Sequence, residues 1–340
     1  MKIGAIDLDD TIMIVAEIGN NHEGCLSIAE EMIGRAAEAG ADAVKFQTID
    51  PVQLVSPSQG QRLKQLESFQ LSEGAYCHLA DVARRENIEF LSTPFYMDAV
   101  PLLADLVPAF KIASGDNDFI PLIEAVAGTC KPILLSTGMS DLETIRTSVQ
   151  SIDSVWQNAC PFSNKPLADI VLMHCVSSYP TFPRDANIGF MGELSTFNRT
   201  LGYSDHTIGY KAAMMSVALG ARVIEKHFTL DKNYSDFRDH KISCDPVELK
   251  DFCSHIREAD LLVGEGAKKI LQCERTTHDA ARRSIVASRD LRAGEVLNCE
   301  DLTWLRPRVG SPPGHESDFL GRTLKISIPR GEPVALDHLV

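Results

Sequence analysis

Three pairs of polar residues, each spaced by two, stand at the ends of short apolar runs: Lys45 with Gln47, Ser204 with His206, and Glu225 with His227. In an extended strand, residues i and i+2 share a face. Both members of each pair therefore point one way, while Val44 and Phe46 take the other side. A buried Lys or Glu without a partner is costly. One such strand reads as a satisfied core polar group; three in phase read as a site. His206 and His227 end consecutive runs. Neighbouring strands lie about 4.8 Å apart, so two such imidazoles can share one divalent ion. Two hydrogen-bonded core histidines would show the same spacing, and spacing alone leaves both readings open.

Lys45 and Lys111 are strand-end cations, and Thr93, Ser114 and Ser136 add hydroxyls in the loops that follow. Gly115 and Gly138 add backbone freedom there. Cations, hydroxyls and free N–H groups together suit phosphate and carboxylate. Ser and Thr also cap ordinary loops; the two lysines favour the anion pocket. Glu17, in Ala16-Glu-Ile-Gly-Asn-Asn-His-Glu-Gly24, can act as a base or order a water or a sugar hydroxyl.

These residues need a scaffold that brings many strand ends together. Eight short runs qualify as strands: Ile12–Glu17, Ala43–Gln47, Glu89–Ser92, Ala109–Ile112, Pro132–Ser136, Ile170–His174, Thr200–Ser204 and Arg222–His227. Amphipathic stretches alternate with them, including Ser27–Ala39, Glu73–Glu86, Asp118–Ala127, Asp141–Ser151, Tyr210–Leu219 and Asp245–Val263. Alternation implies parallel βαβ units, and eight of them fit a closed (β/α)8 TIM barrel, whose chemistry sits at the C-terminal strand ends. The rhythm stops near residue 280. Short β-type runs follow, with two near-duplicate charged turns, Arg292-Ala-Gly-Glu and Pro329-Arg-Gly-Glu. The expected division is a barrel over 1–265, a linker over 266–281 and a small β-rich domain over 282–340.

The 340 residues carry a formal net charge of −14, which disfavours nucleic acid as a partner. An anionic substrate must then be met by local cations. Nine scattered cysteines without a C-x-x-C pair argue against a disulfide framework. There is no basic-then-apolar leader and no apolar run near the ~18 residues of a membrane helix, so a cytoplasmic enzyme is expected. Asp7-Leu-Asp9-Asp10-Thr11 matches the short signature of haloacid-dehalogenase-like phosphatases. The buried strand that such a signature needs before it is missing: only Ile3–Ile6 precedes it, broken by Gly4.

The chain resembles the sialic acid synthase family, which includes N-acetylneuraminate, legionaminate, pseudaminate and spore-coat polysaccharide synthases. The likeness spans nearly its whole length. Its motifs run in order: Val15-Ala-Glu-Ile-Gly-Asn-Asn-His-Glu-Gly24, Val44-Lys-Phe-Gln-Thr48, Phe90-Leu-Ser-Thr-Pro-Phe95, Lys111-Ile-Ala-Ser-Gly115, Leu135-Ser-Thr-Gly-Met139, His174-Cys-Val-Ser-Ser-Tyr-Pro-Thr181, Ser204-Asp-His-Thr207 and Glu225-Lys-His-Phe-Thr229. The tail resembles the antifreeze-like (SAF) domain of these enzymes, with Arg306-Pro307 in the segment that reaches the active site.

The resemblance implies a transferase that condenses phosphoenolpyruvate with an N-acetylated amino-sugar aldose and releases phosphate. The acceptor would be N-acetylmannosamine or a diacetamido-trideoxy hexose; a related synthase for another 3-deoxy keto acid is the alternative. It implies Glu17 as the catalytic carboxylate. Lys45, Thr93, Lys111, Ser114, Ser136 and Ser204 would hold phosphoenolpyruvate, and Gln47, Tyr179 and Asp239 the sugar. His206 and His227 would ligate a divalent ion, Mn2+ before Mg2+ or Co2+. Arg306 would act across a domain-swapped homodimer. Several residues depart from the family pattern. Asp116 stands where a Glu is frequent, Ser177 where Asn is frequent, Arg238 where Pro is usual, and Arg308 where Gly is usual. Asp116 and Ser177 are therefore expected to shape the sugar site.

Overall fold

A computed structural model describes residues 1–159 and 169–340. The chain separates into two compact units, Met1–Gly264 and Glu265–Val340.

The first unit holds eight parallel strands: β1 (Met13–Gly19), β2 (Ala43–Thr48), β3 (Glu89–Pro94), β4 (Phe110–Ile112), β5 (Ile133–Ser136), β6 (Ile170–Cys175), β7 (Thr200–Asp205) and β8 (Ala221–His227). A helix follows each: α1 (Leu26–Glu38), α2 (Glu73–Arg85), α3 (Ala99–Ala104), α4 (Ile120–Ala127), α5 (Leu142–Ala159), α6 (Met191–Ser195), α7 (Lys211–Ala218) and α8 (Pro246–Val263). The sheet runs β3-β2-β1-β8-β7-β6-β5-β4. Its outer strands β3 and β4 pack side by side, so the sheet curls into a barrel. The eight expected strands are all present. Helices α3 and α6 and an extra helix, Gly60–Phe69, are additions to the expected pattern; α3 and α6 span fewer than two turns and leave little periodicity to read.

Local chemistry sets the helix ends. Asp245 caps α8 by accepting from Val247 N and Glu248 N, both at 2.9 Å, with Pro246 at the first helical position. Gly40, at φ +91°, turns the chain from α1 towards β2.

The strand period divides the barrel interior into two floors. Val15, Ala43, Leu91, Ala109, Leu134 and Val223 form an apolar lower layer. Two residues further along each strand stand Glu17, Lys45, Thr93, Lys111, Ser136 and Glu225. The residues between them, such as Ala16, Val44 and Ile224, join the larger core beneath the helices. A short hairpin, Lys2–Ile3 paired with Ile6–Asp7, packs Ile3 and Leu8 into the lower layer and plugs the N-terminal end. Asp7 lies in that plug, bridged to Lys2 and the terminal amine. The phosphatase-like string thus sits at the end of the barrel opposite the polar layer.

The second unit has its own core, including Ile285, Leu291, Leu297, Phe319, Leu324 and Ile328. Strands β9 (Ser284–Ala287) and β10 (Leu302–Leu305) pair antiparallel. The near-duplicate turns place Gly294 at φ +90° and Gly331 at φ +85°, backbone that glycine adopts without penalty. The stretch expected as a linker lies in this unit and carries the helix Arg275–Ala281. Cys175, Cys244 and Cys253 are buried free thiols. Among the described residues, no helix is long and apolar enough to cross a membrane.

Gly202 on β7 leaves room for the lower floor. A Cβ there would meet Met173, Val171 and the Val223 carbonyl, each at 3.0 Å. Gly202→Val should destabilise the barrel by about 1–3 kcal/mol through overpacking, seen as a lower thermal midpoint by circular dichroism.

Candidate active site

Glu17, Lys45, Lys111 and Glu225 meet at the centre of the upper floor, none more than 5% exposed. Lys45 Nζ lies 2.6 Å from Glu17 Oε2 and 3.7 Å from Glu225 Oε1. Lys111 Nζ donates to both oxygens of Glu225, at 2.7 and 2.8 Å. Burial disfavours every one of these charges, and each carboxylate–ammonium contact offsets that cost. For Glu17 burial wins and pushes its carboxyl up, against the pull of Lys45. Burial also acts on Glu225, but Lys111 and Lys45 outweigh it and hold that carboxyl low. Burial lowers Lys111, whereas the pull of Glu17 and Glu225 overcomes burial at Lys45 and raises it.

Hydroxyls ring this core. Lys45 donates to Thr93 Oγ1 at 3.1 Å and Lys111 to Ser204 Oγ at 3.4 Å. Ser136 and Ser204 share a hydrogen bond of 2.9 Å. Gln47 Nε2 donates to Glu17 Oε1 at 2.9 Å, and Asn20 holds Gln47 in turn at 2.8 Å. In the loops beyond, Gly138 N donates to Ser114 Oγ at 3.2 Å. Asn117 Nδ2 bridges the Ser136 and Gly138 carbonyls, at 3.0 and 2.9 Å. A Cβ on Gly138 would lie 2.5 Å from Ser177 Oγ and 2.7 Å from Ser114 Oγ, so the two serines converge over that glycine. Asp116 stands two residues after Ser114; burial raises its carboxyl to about 6, and its Oδ2 is buried without a partner.

His206 and His227 sit side by side, ring centroids 5.4 Å apart, with Tyr179 at 4.2 Å from the first and 6.0 Å from the second. His206 Nδ1 bonds the Val176 carbonyl at 2.8 Å. A carbonyl only accepts, so Nδ1 carries the proton and Nε2 keeps its lone pair. His227 Nδ1 is buried without a partner. An oriented imidazole beside an orphaned one fits a divalent ion. Among the described residues, no group of three or more His, Cys, Asp or Glu could hold a metal. Such an ion would therefore take two protein ligands, leaving its other positions to water or substrate oxygens. Arg238 lies 4.9 Å over the Tyr179 ring and pairs with Asp239 at 3.2 Å, which connects the short helix Arg238–Ile242 to the histidines through Tyr179.

The barrel thus brings Glu17, Lys45, Gln47, Thr93, Lys111, Ser136 and Ser204 into one bonded network, with Ser114, Ser177, Tyr179, His206, His227 and Asp239 at its rim. Arg306 belongs to the second unit and is exposed. Glu225 shows in the sequence only as the strand-phase partner of His227, with no role of its own, although it holds both lysines. Asn20 and Asn117 are absent from the sequence-based site; both lie in loops, where strand periodicity carries no signal.

The loop after β1 buries His22 completely. Its Nδ1 accepts from Gly24 N at 3.1 Å, and burial lowers its pKa from 6.5 to about 4. A histidine kept neutral in the fold but free to charge when unfolded contributes stability that is present above pH 6.5 and lost as pH falls towards 4. The contribution is roughly 3 kcal/mol. Urea midpoints measured across that range should fall with pH, and His22→Gln should flatten the fall.

The NeuB family model matches residues 32–268, and the SAF domain model matches residues 282–340. An uncharacterised protein of Methanocaldococcus jannaschii is 42% identical over 96% of this chain and 94% of its own length. The N,N'-diacetyllegionaminic acid synthase of Legionella pneumophila is 36% identical over 97% of this chain and 95% of its own. The crystal structure of N-acetylneuraminic acid synthetase from Leptospira borgpetersenii superposes with a TM-score of 0.75 at 30% identity, over 82% of this chain and 94% of that one. The eight motifs, the barrel and the tail domain agree with these likenesses: the chain is an enzyme of the NeuB family, the sialic acid synthases that carry a C-terminal SAF domain.

Proposed function

We propose that this synthase condenses phosphoenolpyruvate with the open-chain aldehyde of an N-acetylated amino-sugar, releasing phosphate and forming a 2-keto-3-deoxy nonulosonic acid. The observation that carries this reading is the pair of buried lysines, each bonded to a hydroxyl, beneath the two histidines. Lys45 and Lys111 suit the phosphate and carboxylate of phosphoenolpyruvate, with Thr93, Ser136, Ser204 and Ser114 completing the contacts. The acceptor stands above them, among Gln47, Tyr179, Asp239, Ser177 and Asp116. N-acetylmannosamine and diacetamido-trideoxy hexoses are the acceptor class; the curated relatives include synthases named for legionaminic and pseudaminic acids.

Carbon–carbon bond formation joins C3 of phosphoenolpyruvate to the aldehyde carbon. Water adds at C2, and phosphate leaves with cleavage of its C–O bond. Glu17, held by Gln47 and Lys45, orders that water and takes its proton. Lys45 and Lys111 offset the charge on the departing phosphate. Glu225 keeps Lys111 in place by accepting from it with both oxygens. A divalent ion on His206 and His227, Mn2+ in preference to Mg2+ or Co2+, would supply Lewis-acid polarisation of the aldehyde. Arg306 completes the acceptor site from the partner subunit of a homodimer.

Incubation with phosphoenolpyruvate and N-acetylmannosamine, its 6-phosphate or diacetamido-trideoxy hexoses, with and without Mn2+, tests the reaction. Phosphate release should match a product whose mass equals acceptor plus phosphoenolpyruvate plus water less phosphoric acid. His206→Ala should remove metal-dependent turnover in a folded barrel; full activity of this variant in chelator excludes the metal role. Gly138→Ala should push Ser114 and Ser177 apart and lower kcat/KM at least about tenfold, since small misplacements of positioning groups are costly; steady-state kinetics on the folded variant read it.

A further inference from the structure

On the outer side of the barrel wall, Lys226 and Asp205 form an ion pair of 2.9 Å with side chains 1% and 0% exposed. They are register partners on β8 and β7, and each immediately precedes one of the two histidines. Strand alternation turns them towards the helices while His227 and His206 face the mouth. Asp205 Oδ1 accepts from Thr207 N and Thr207 Oγ1, both at 2.8 Å. Lys226 Nζ also donates to the Thr207 carbonyl. The residues on both sides of His206 are therefore tied to the residue before His227. The Lys226 ammonium lies 5.6 Å from the Phe252 ring centroid on α8, which backs the pair. Among the described residues, no hydrogen bond or ion pair joins either side chain to Glu17, Lys45, Lys111 or Glu225.

A buried ion pair is a poor source of net stability: a well-packed apolar pair of similar volume commonly does as well or better. What an apolar pair lacks is direction. The Lys226–Asp205–Thr207 bonds fix how far β7 and β8 slide past each other at the level where their histidines emerge. We infer that Lys226 and Asp205 are positioning residues that set the spacing and orientation of His206 and His227 as a metal-binding pair. This rests on the reading of those histidines as ligands of a divalent ion. The pair acts through the backbone and binds nothing itself.

The test uses the full-length protein and Mn2+ alone. Wild type, Lys226→Met, Asp205→Asn and the double variant Lys226→Met/Asp205→Leu are compared by thermal melts and by Mn2+ titration, with free Mn2+ read by electron paramagnetic resonance. The double variant should melt below wild type, because the buried Thr207 N–H, hydroxyl and carbonyl lose their partners, yet as a folded protein bind Mn2+ on the order of tenfold or more weakly, the range seen when groups supporting metal ligands are lost. KM for phosphoenolpyruvate at saturating Mn2+ should stay within about twofold, since strand alternation turns both side chains away from the lysines proposed to hold that substrate. Should the double variant fail to fold, the near-isosteric Asp205→Asn carries the same test: weaker Mn2+ binding supports the inference, unchanged binding overturns it. Wild-type affinity in a folded double variant overturns it while leaving the metal reading intact. Failure of the wild type to bind Mn2+ overturns both.

Discussion

Two lysines and two glutamates share the inside of one barrel, almost without exposure, and the rest of the site is arranged around keeping them there. None of the four could be buried alone at tolerable cost. Lys111 is matched by both oxygens of Glu225, and Lys45 stands between Glu17 and Glu225. The set is formally neutral, so the acidic chain can hold cations for an anionic substrate without a basic surface. Glu17 is the member whose charge burial penalises most visibly, and it is the one bonded to Gln47.

Two-residue alternation makes this arrangement possible. Each strand offers an apolar side chain to the lower floor and a polar one to the floor above, while the intervening residue packs beneath a helix. That pattern is local, so the order of residues along each strand is enough to reveal it. Lys45, Lys111, His206 and His227 are legible as strand-end residues for this reason, and so are the eight strands. The identity of each lysine's partner is not. Lys111 and Glu225 lie 114 positions apart and meet only because the ring brings β4 opposite β8. The distance between two inward residues of non-adjacent strands depends on barrel curvature and stagger, which no single strand records.

Other features stay hidden for related reasons. The Lys2–Asp7 hairpin has strands of two residues, too short to show alternation. Its Asp-rich string imitates a phosphatase signature in composition alone; at the barrel's sealed end Asp7 is bridged to Lys2 and the terminal amine. Asn20 and Asn117 brace Gln47 and the carbonyls of the β5 loop, where backbone geometry rather than periodicity decides which side chains are needed. In the second unit, by contrast, the repeated Gly-Glu turns are readable because glycine at positive φ leaves a mark in the sequence itself.

The hairpin plug has a further consequence for traffic. With Ile3 and Leu8 packed among Val15, Ala43 and Leu91, the described residues close the lower end of the barrel and leave the strand ends as the opening. The lysines sit deep, and the paired histidines with Tyr179 stand nearer the rim. A molecule held at the bottom must enter before one held at the rim, and water must use the same opening. Depth alone then imposes a sequence of loading, without any moving part to enforce it.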